Sequence, residues 1–265
     1  AGRVRRHAEF DEQRRQQQRL DLVCRPQRPL KGATFVLDNH PTSFGAKGNR
    51  QSEVMLSVTR WLARRADAVL VTTTSWVDVV TAWGGRGLVV HEAPPRWTVP
   101  TARPLAARRP RLLFACVFAS DEPVAEVIDM ARELPDIDVV ITGDPRRAPA
   151  GILEGLPTNV TLTGWLDQPA YVEEVSRCDV LLALTTEPTS VMRAAYEAVL
   201  AERVLIMSDS KEMRTALPGA VTTTLPDLQD TVRWALSRHA ELRAELPALR
   251  RTALENWQRQ RADVT

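Results

Sequence analysis

Short apolar runs alternate with amphipathic segments along most of this chain, and this alternation restricts the fold more than any other feature. From residue 31 onward the runs are rich in Val, Leu and Ile, and the segments between them repeat apolar residues at helical spacing. Unbroken aliphatic runs flanked by helices indicate strands that are buried on both faces of a parallel sheet. We therefore predict an α/β fold of doubly wound, Rossmann-like parallel sheets. The predicted strands are residues 33–38, 66–73, 87–95, 111–118, 137–143, 159–164, 179–185, 203–209 and 220–225.

A stretch rich in proline and arginine, residues 94–110, interrupts this alternation. It has little hydrophobic periodicity, which is typical of a linker. Because the alternation restarts beyond it, two α/β domains are expected. We assign residues 1–30 to a polar, arginine-rich arm, 31–100 to a reduced or truncated N-terminal domain, 101–110 to the linker and 111–265 to the C-terminal domain.

Composition excludes several classes of protein. The net charge of +2, with 26% charged residues, does not favour a nucleic-acid partner. We find no signal peptide and no apolar run long enough to cross a bilayer, and the three cysteines are scattered, so a cytoplasmic location is expected. Residues 1–19 carry many arginines but no apolar face, which favours a solvated arm over a membrane-binding one. Peripheral contact with a membrane or a protein partner is left open.

The segment that follows the predicted strand 179–185 carries the first sign of chemistry. A helix over residues 191–201 would begin at Ser190 as its N-cap, and its free N–H groups would favour an anion such as a diphosphate. Glu197 lies two turns further along this helix. A carboxylate there could accept hydrogen bonds from a ribose diol, although an ordinary surface glutamate explains the same residue.

Three stretches, residues 120–144, 156–185 and 189–209, resemble the C-terminal domain of retaining GT-B glycosyltransferases of family 4, the glycosyl transferases group 1 type. That family has two glutamates at a fixed spacing, and the second binds the ribose of the nucleotide. Glu197 matches the second glutamate, whereas Thr189 stands at the position of the first. The resemblance thus implies a nucleotide-sugar site around Glu197.

The first half of the chain is similar to the same family more loosely. Residues 33–45, 64–86 and 88–95 resemble the last part of the N-terminal domain, where the acceptor binds. The resemblance places His40 near the reacting sugar, as a base or a hydrogen-bonding group. A lone histidine is nevertheless more often structural.

The family usually supplies an arginine and a lysine for the diphosphate after the first strand of the C-terminal domain. Here the corresponding loop, residues 116–123, contains neither, so Arg146 or Arg193 would have to supply positive charge. Gly143 and Gly164 follow predicted strands and could let the backbone approach the nucleotide, but turn formation explains both equally well. The candidate nucleotide-sugar residues are Ser120, Gly143, Asp144, Arg146, Gly164, Trp165, Leu166, Thr189, Ser190, Val191, Arg193 and Glu197.

No metal or other cofactor is expected. The DID sequence at residues 136–138 precedes a strand, at the end remote from the ligand, and is read as a solvated turn. No cluster of His, Cys, Asp and Glu has the spacing of metal ligands, and no P-loop or GxSxG motif occurs.

Two functions from different classes remain. The first is transfer of a sugar, with retention, from a nucleotide-sugar to a hydroxyl of a glycan, a lipid-linked intermediate or a small molecule. The second is a non-catalytic nucleotide-sugar-binding or partner subunit, which the short first domain, the missing basic pair and Thr189 all favour. A GT-B-fold epimerase fits less well, because more acidic and histidine residues would be expected in its first domain.

Overall fold

The computed structural model of the protein describes residues 34–39, 50–95, 97–99 and 109–264. It contains two parallel sheets. The first sheet has the strand order β1 (Val36–Asp38), β2 (Ala68–Val71), β3 (Gly87–Val89). Helices α1 (Arg50–Ala63) and α2 (Thr74–Ala82) connect these strands. The predicted arm and most of the predicted linker lie outside the described residues.

The second sheet has six parallel strands in the order β6-β5-β4-β7-β8-β9. The strands are β4 (Arg111–Phe114), β5 (Asp138–Ile141), β6 (Val160–Leu162), β7 (Val180–Ala183), β8 (Val204–Ser208) and β9 (Val221–Thr223). The helices are α3 (Val124–Glu133), α4 (Gln168–Arg177), α5 (Arg193–Leu200), α6 (Lys211–Ala216), α7 (Leu228–Ser237) and α8 (His239–Ala262). The order reverses between β4 and β7, which in such sheets opens a ligand crevice at the carboxyl ends of the strands. The predicted doubly wound α/β fold is confirmed.

Core packing explains why the strands of this sheet read as unbroken apolar runs. Phe114, Leu182 and Ile206 belong to the core on one face of the sheet, while Leu113 and Leu181 belong to the core on the other. Helices cover both faces of the central strands β7 and β8, so these two strands leave no position for a polar side chain to reach water. All residues of β7 and β8 are buried as a result.

Helix α5 begins later than the sequence predicts. Its N-cap is Met192, which makes no side-chain cap, so the assignment of Ser190 as N-cap is wrong. The cause lies in Glu187, whose carboxylate accepts hydrogen bonds from the N–H and the hydroxyl of Thr189. The Ser190 N–H donates to the Glu187 carbonyl, which closes a separate turn ahead of the helix.

A buried carboxylate joins the two domains. Glu212, on α6, is 3% exposed and accepts hydrogen bonds from the N–H and hydroxyl of Thr74 and from the hydroxyl of Ser75. Thr73, the N-cap residue of α2, makes no side-chain cap of its own. Glu212 therefore satisfies the N-terminus of a helix in the other domain, where a negative charge is also favoured by the helix dipole.

We expect Glu212→Ala to lower the free energy of unfolding by about 1–3 kcal/mol, because it leaves one helix N–H group and two hydroxyls without an acceptor. Urea unfolding followed by circular dichroism measures the loss. Glu126→Ala is the matched control, since Glu126 is exposed on α3. Equal stability of the two variants would contradict a capping role for Glu212.

Candidate functional site

A cavity of about 370 Å³ opens at the carboxyl ends of the second sheet. Its walls are the segments that follow β4, β5 and β6 together with the start of α5, and Trp97 from the segment between the domains also contributes. These connections flank the point where the strand order reverses. The cavity therefore occupies the place where a doubly wound fold binds its ligand.

Glu197 is held in the wall of this cavity by two partners. It is 8% exposed; its Oε1 accepts a hydrogen bond from Nε of Arg193 at 3.0 Å and its Oε2 accepts one from the hydroxyl of Tyr171 at 2.8 Å. A guanidinium nitrogen of Arg193 also lies 3.7 Å from Glu92, which follows β3 in the first domain. A carboxylate has about four lone-pair sites, so Glu197 is oriented and keeps capacity for further donors.

The ionisation of Tyr171 fits this arrangement. Burial, and then the charge of Glu197, raise the pKa of the Tyr171 phenol well above its usual value, so it remains a donor to the carboxylate. The hydrogen bond to Glu197 in turn raises the pKa of Arg193. The trio is thus a neutral tyrosine beside a carboxylate–guanidinium pair.

The loop after β4 holds a second carboxylate, and the sequence analysis did not single it out. Glu122 Oε2 accepts hydrogen bonds from the N–H groups of Val117, at 2.9 Å, and Ala119, at 2.8 Å. Its carboxylate also lies beside Cys116, whose pKa is raised by burial and further by the Glu122 charge. Glu122 and Val117 both line the cavity.

Gly143 has a structural role that goes beyond a turn. Its φ is +99°, and a Cβ at this position would lie 2.6 Å from the carbonyl oxygen of Cys116. The hydroxyl of Thr142 also bridges the N–H and C=O of Cys116. Glycine therefore lets the loop after β5 press against the loop after β4, and both face the cavity.

The predicted site residues separate into three groups. Gly143, Trp165, Leu166, Arg193 and Glu197 line the cavity, with Trp165 71% exposed at its edge. Its lining does not include Ser120, Asp144, Arg146, Gly164, Thr189, Ser190 or Val191. His40, the predicted catalytic residue, lies outside the described residues.

Arg146 does not provide a free positive charge. Its guanidinium donates to the carboxylate of Asp144, and the arginine side chain is 89% exposed. This contact lowers the pKa of Asp144 and raises that of Arg146. Within the described part of the chain, Arg193 is the one arginine or lysine that lines the cavity.

His91 is a further residue that the sequence analysis missed. It follows β3, and the centroid of its ring lies 5.4 Å from that of Tyr196 on α5. Its Nδ1 lies 3.1 Å from the side-chain nitrogen of Gln260 on α8. The backbone N–H of His91 donates to Oε1 of Gln260. Burial lowers the pKa of His91 to about 4, and Glu212 opposes that shift only in part. The ring is therefore neutral at pH 7 and packs between the domains.

The described residues contain neither a metal-binding cluster nor a membrane-spanning helix. No group of three His, Cys, Asp or Glu side chains lies close enough there to hold a metal ion. None of the described helices is both long and apolar enough to cross a membrane.

No protein-family model and no curated protein sequence matches the chain. Solved structures do match. Sucrose-phosphate synthase from Thermosynechococcus elongatus aligns with 87% of this chain and 68% of its own, at 18% identity and a TM-score of 0.65. HepE from Anabaena, in complex with UDP and glucose, aligns with 87% of this chain and 71% of its own, at 15% identity and a TM-score of 0.68. TarM of S. aureus covers 87% and 50% at 12% identity and a TM-score of 0.61.

These proteins are GT-B glycosyltransferases, and at such identities the likeness shows a shared fold. The chain thus has two parallel-sheet domains of GT-B type, as the sequence predicts. It spans about two thirds of the length of the first two structures and half of the third. Membership in the retaining family 4 stays a prediction.

We predict that Tyr171→Phe lowers the free energy of unfolding by about 2 kcal/mol, because the variant removes a buried donor to a charged carboxylate. Tyr196→Phe is the matched control. The Tyr196 hydroxyl is buried without a hydrogen-bond partner among the described residues, so its removal should change stability by about 0.5 kcal/mol or less, or increase it. Urea unfolding of both variants measures the difference, and the reverse ranking would refute the proposed contact.

Stability should also depend on pH through His91. Its pKa is about 4 in the folded protein and about 6.5 when unfolded. As the pH falls, the unfolded state therefore binds a proton before the folded state does. The contribution of His91 to the free energy of unfolding is complete above pH 6.5 and falls by up to about 3 kcal/mol towards pH 4. The difference between wild type and His91→Asn, measured by urea unfolding across this range, should shrink as the pH falls. Parallel stability curves would exclude this linkage.

Proposed function

We propose that the chain is a glycosyltransferase that moves a sugar, with retention, from a nucleotide-sugar donor to an acceptor hydroxyl. The main support for this proposal is the position of Glu197. Its carboxylate is buried and oriented, and it lines a cavity at the point where the strand order of a GT-B fold reverses. It is also the residue that matches the ribose-binding glutamate in sequence. HepE, which shares the fold, has been solved with UDP-glucose.

Each part of the donor has a proposed partner in the cavity. Glu197 accepts hydrogen bonds from the ribose diol, and the base lies against Trp165 and Leu166. The diphosphate faces the start of α5, where free N–H groups and Arg193 stabilise the charge that accumulates as the sugar leaves. The loop of His40, in the first domain, provides the acceptor side. The acceptor is a glycan, a lipid-linked intermediate or a small molecule, and the donor needs no metal ion.

A non-catalytic partner subunit is the second candidate, and one feature of the first domain favours it. Helix α1 buries Thr59 and places Ala63 in the core of the first sheet, yet Val54, Val58 and Trp61 form a second apolar stripe that is 39–62% exposed. A helix that is apolar on two sides is typical of one covered by a further layer. Such a layer could come from another protein.

Calorimetric titration with UDP, GDP and dTDP tests for the donor site. We expect one nucleotide to bind in the micromolar range and Glu197→Gln to weaken it at least about tenfold. The glutamine keeps an oxygen for the Tyr171 hydroxyl but loses the charge and one acceptor, so the fold should persist. Glu126→Gln, on an exposed position, should bind as wild type does.

The titration has two informative outcomes. Binding that depends on Glu197 supports a donor site, and product analysis by NMR with the corresponding nucleotide-sugar then shows whether the anomeric configuration is retained. A folded wild-type chain that binds none of the three nucleotides contradicts a donor site for them and favours the partner subunit.

A further inference from the structure

The loop between β4 and α3 is shaped as an anion-binding turn. Phe118 has a φ of +58°, in the left-handed region, which a bulky residue adopts only when its surroundings enforce it. This curl directs the N–H groups of Val117 and Ala119, on either side of Phe118, towards a single point. Backbone N–H groups that converge in this way form a concave site for phosphates and other anions.

The anion at that point is the chain's own carboxylate. Glu122 Oε2 lies 2.9 Å from the Val117 nitrogen and 2.8 Å from the Ala119 nitrogen. The loop follows the strand at which the sheet order reverses, and it lines the same cavity as Glu197. A doubly wound fold offers this position to the phosphates of a nucleotide. In this chain Glu122 already occupies it.

We propose that Glu122 is a specificity residue that competes with the donor's diphosphate for the N–H groups of Val117 and Ala119. This inference rests on the proposed function, since it concerns the diphosphate of the same donor. Binding of the diphosphate requires the carboxylate to leave, so Glu122 lowers the affinity for nucleoside diphosphates without affecting the nucleoside part.

The charges around the cavity strengthen this competition. Arg193 is already shared between Glu197 and Glu92, so only part of its positive charge is available to a ligand. A diphosphate would meet uncompensated repulsion from Glu122 at short range, where Coulomb energies are large. The N–H groups of the loop can therefore stabilise the diphosphate only after it displaces the Glu122 carboxylate.

The loop is anchored independently of Glu122. The Asp121 carboxylate accepts a hydrogen bond from the Thr185 hydroxyl at 2.7 Å, and the Asp121 carbonyl accepts one from the Thr186 N–H, also at 2.7 Å. At the other end, the Thr142 hydroxyl bridges the backbone of Cys116. The converging N–H groups should therefore keep their arrangement when the Glu122 carboxylate is removed.

Two substitutions isolate the effect. Glu122→Gln keeps an oxygen for the N–H groups but removes the charge, whereas Glu122→Ala leaves the N–H groups vacant. We expect UDP, GDP or dTDP, whichever binds, to bind at least about tenfold tighter to Glu122→Ala, with Glu122→Gln intermediate. The corresponding nucleoside should bind all variants within about twofold of wild type, because it has no phosphate. Glu126→Gln, exposed on α3, should match wild type.

Amide hydrogen exchange with pyrophosphate as the probe tests the same point without a nucleotide. In Glu122→Ala the amides of Val117 and Ala119 should exchange faster than in wild type, and pyrophosphate should restore their protection. In wild type the same pyrophosphate concentration should have little effect. Absence of protection in Glu122→Ala overturns the inference, as does a variant that gains no affinity for a diphosphate that the wild type binds.

These outcomes distinguish the inference from the proposed function. Suppose that pyrophosphate protects the amides in Glu122→Ala but no variant binds a nucleotide. The inference that Glu122 competes with a diphosphate would then stand, and the donor site would be excluded. Nucleotide binding that depends on Glu197 but not on Glu122 would support the donor site and overturn the competition by Glu122.

Discussion

The reversal of strand order between β4 and β7 is the constraint on which the rest of this structure depends. On either side of this point the connections leave towards opposite faces of the sheet, so no helix crosses the space above the two strands. The loop after β4 and the helix after β7 border that space. Two of the carboxylates that line the cavity, Glu122 and Glu197, come from these two connections, although they are far apart in sequence. The topology alone brings them together.

A second constraint is that both carboxylates are already satisfied. Glu197 has Tyr171 and Arg193, and Glu122 has two backbone N–H groups. A buried charge without partners is costly, and this requirement fixes the positions of the side chains before any ligand enters. It also means that binding exchanges one set of partners for another. Affinity then depends on the difference between the two sets, which is how the protein can discriminate among anionic ligands.

The sequence predicts the fold well and the site only in part, for physical reasons. Strands β7 and β8 are found because an apolar run buried on both faces is a local property of the chain. Glu197 is found because the residues around it resemble a known motif. Its partner Tyr171 lies 26 positions away on another helix, and no local pattern reveals such a contact. The N-cap assigned to Ser190 is wrong because the Glu187 carboxylate competes for the same turn.

The contacts between the domains connect the cavity to the first sheet. Glu92 follows β3, and it shares Arg193 with Glu197 of the second domain. Glu197 thus shares its counter-ion with a carboxylate of the first domain, so the charge balance of the cavity depends on residues of both domains. Glu212 and His91 also bridge the domains, through Thr74 and Ser75 and through Gln260, and they help to hold this arrangement.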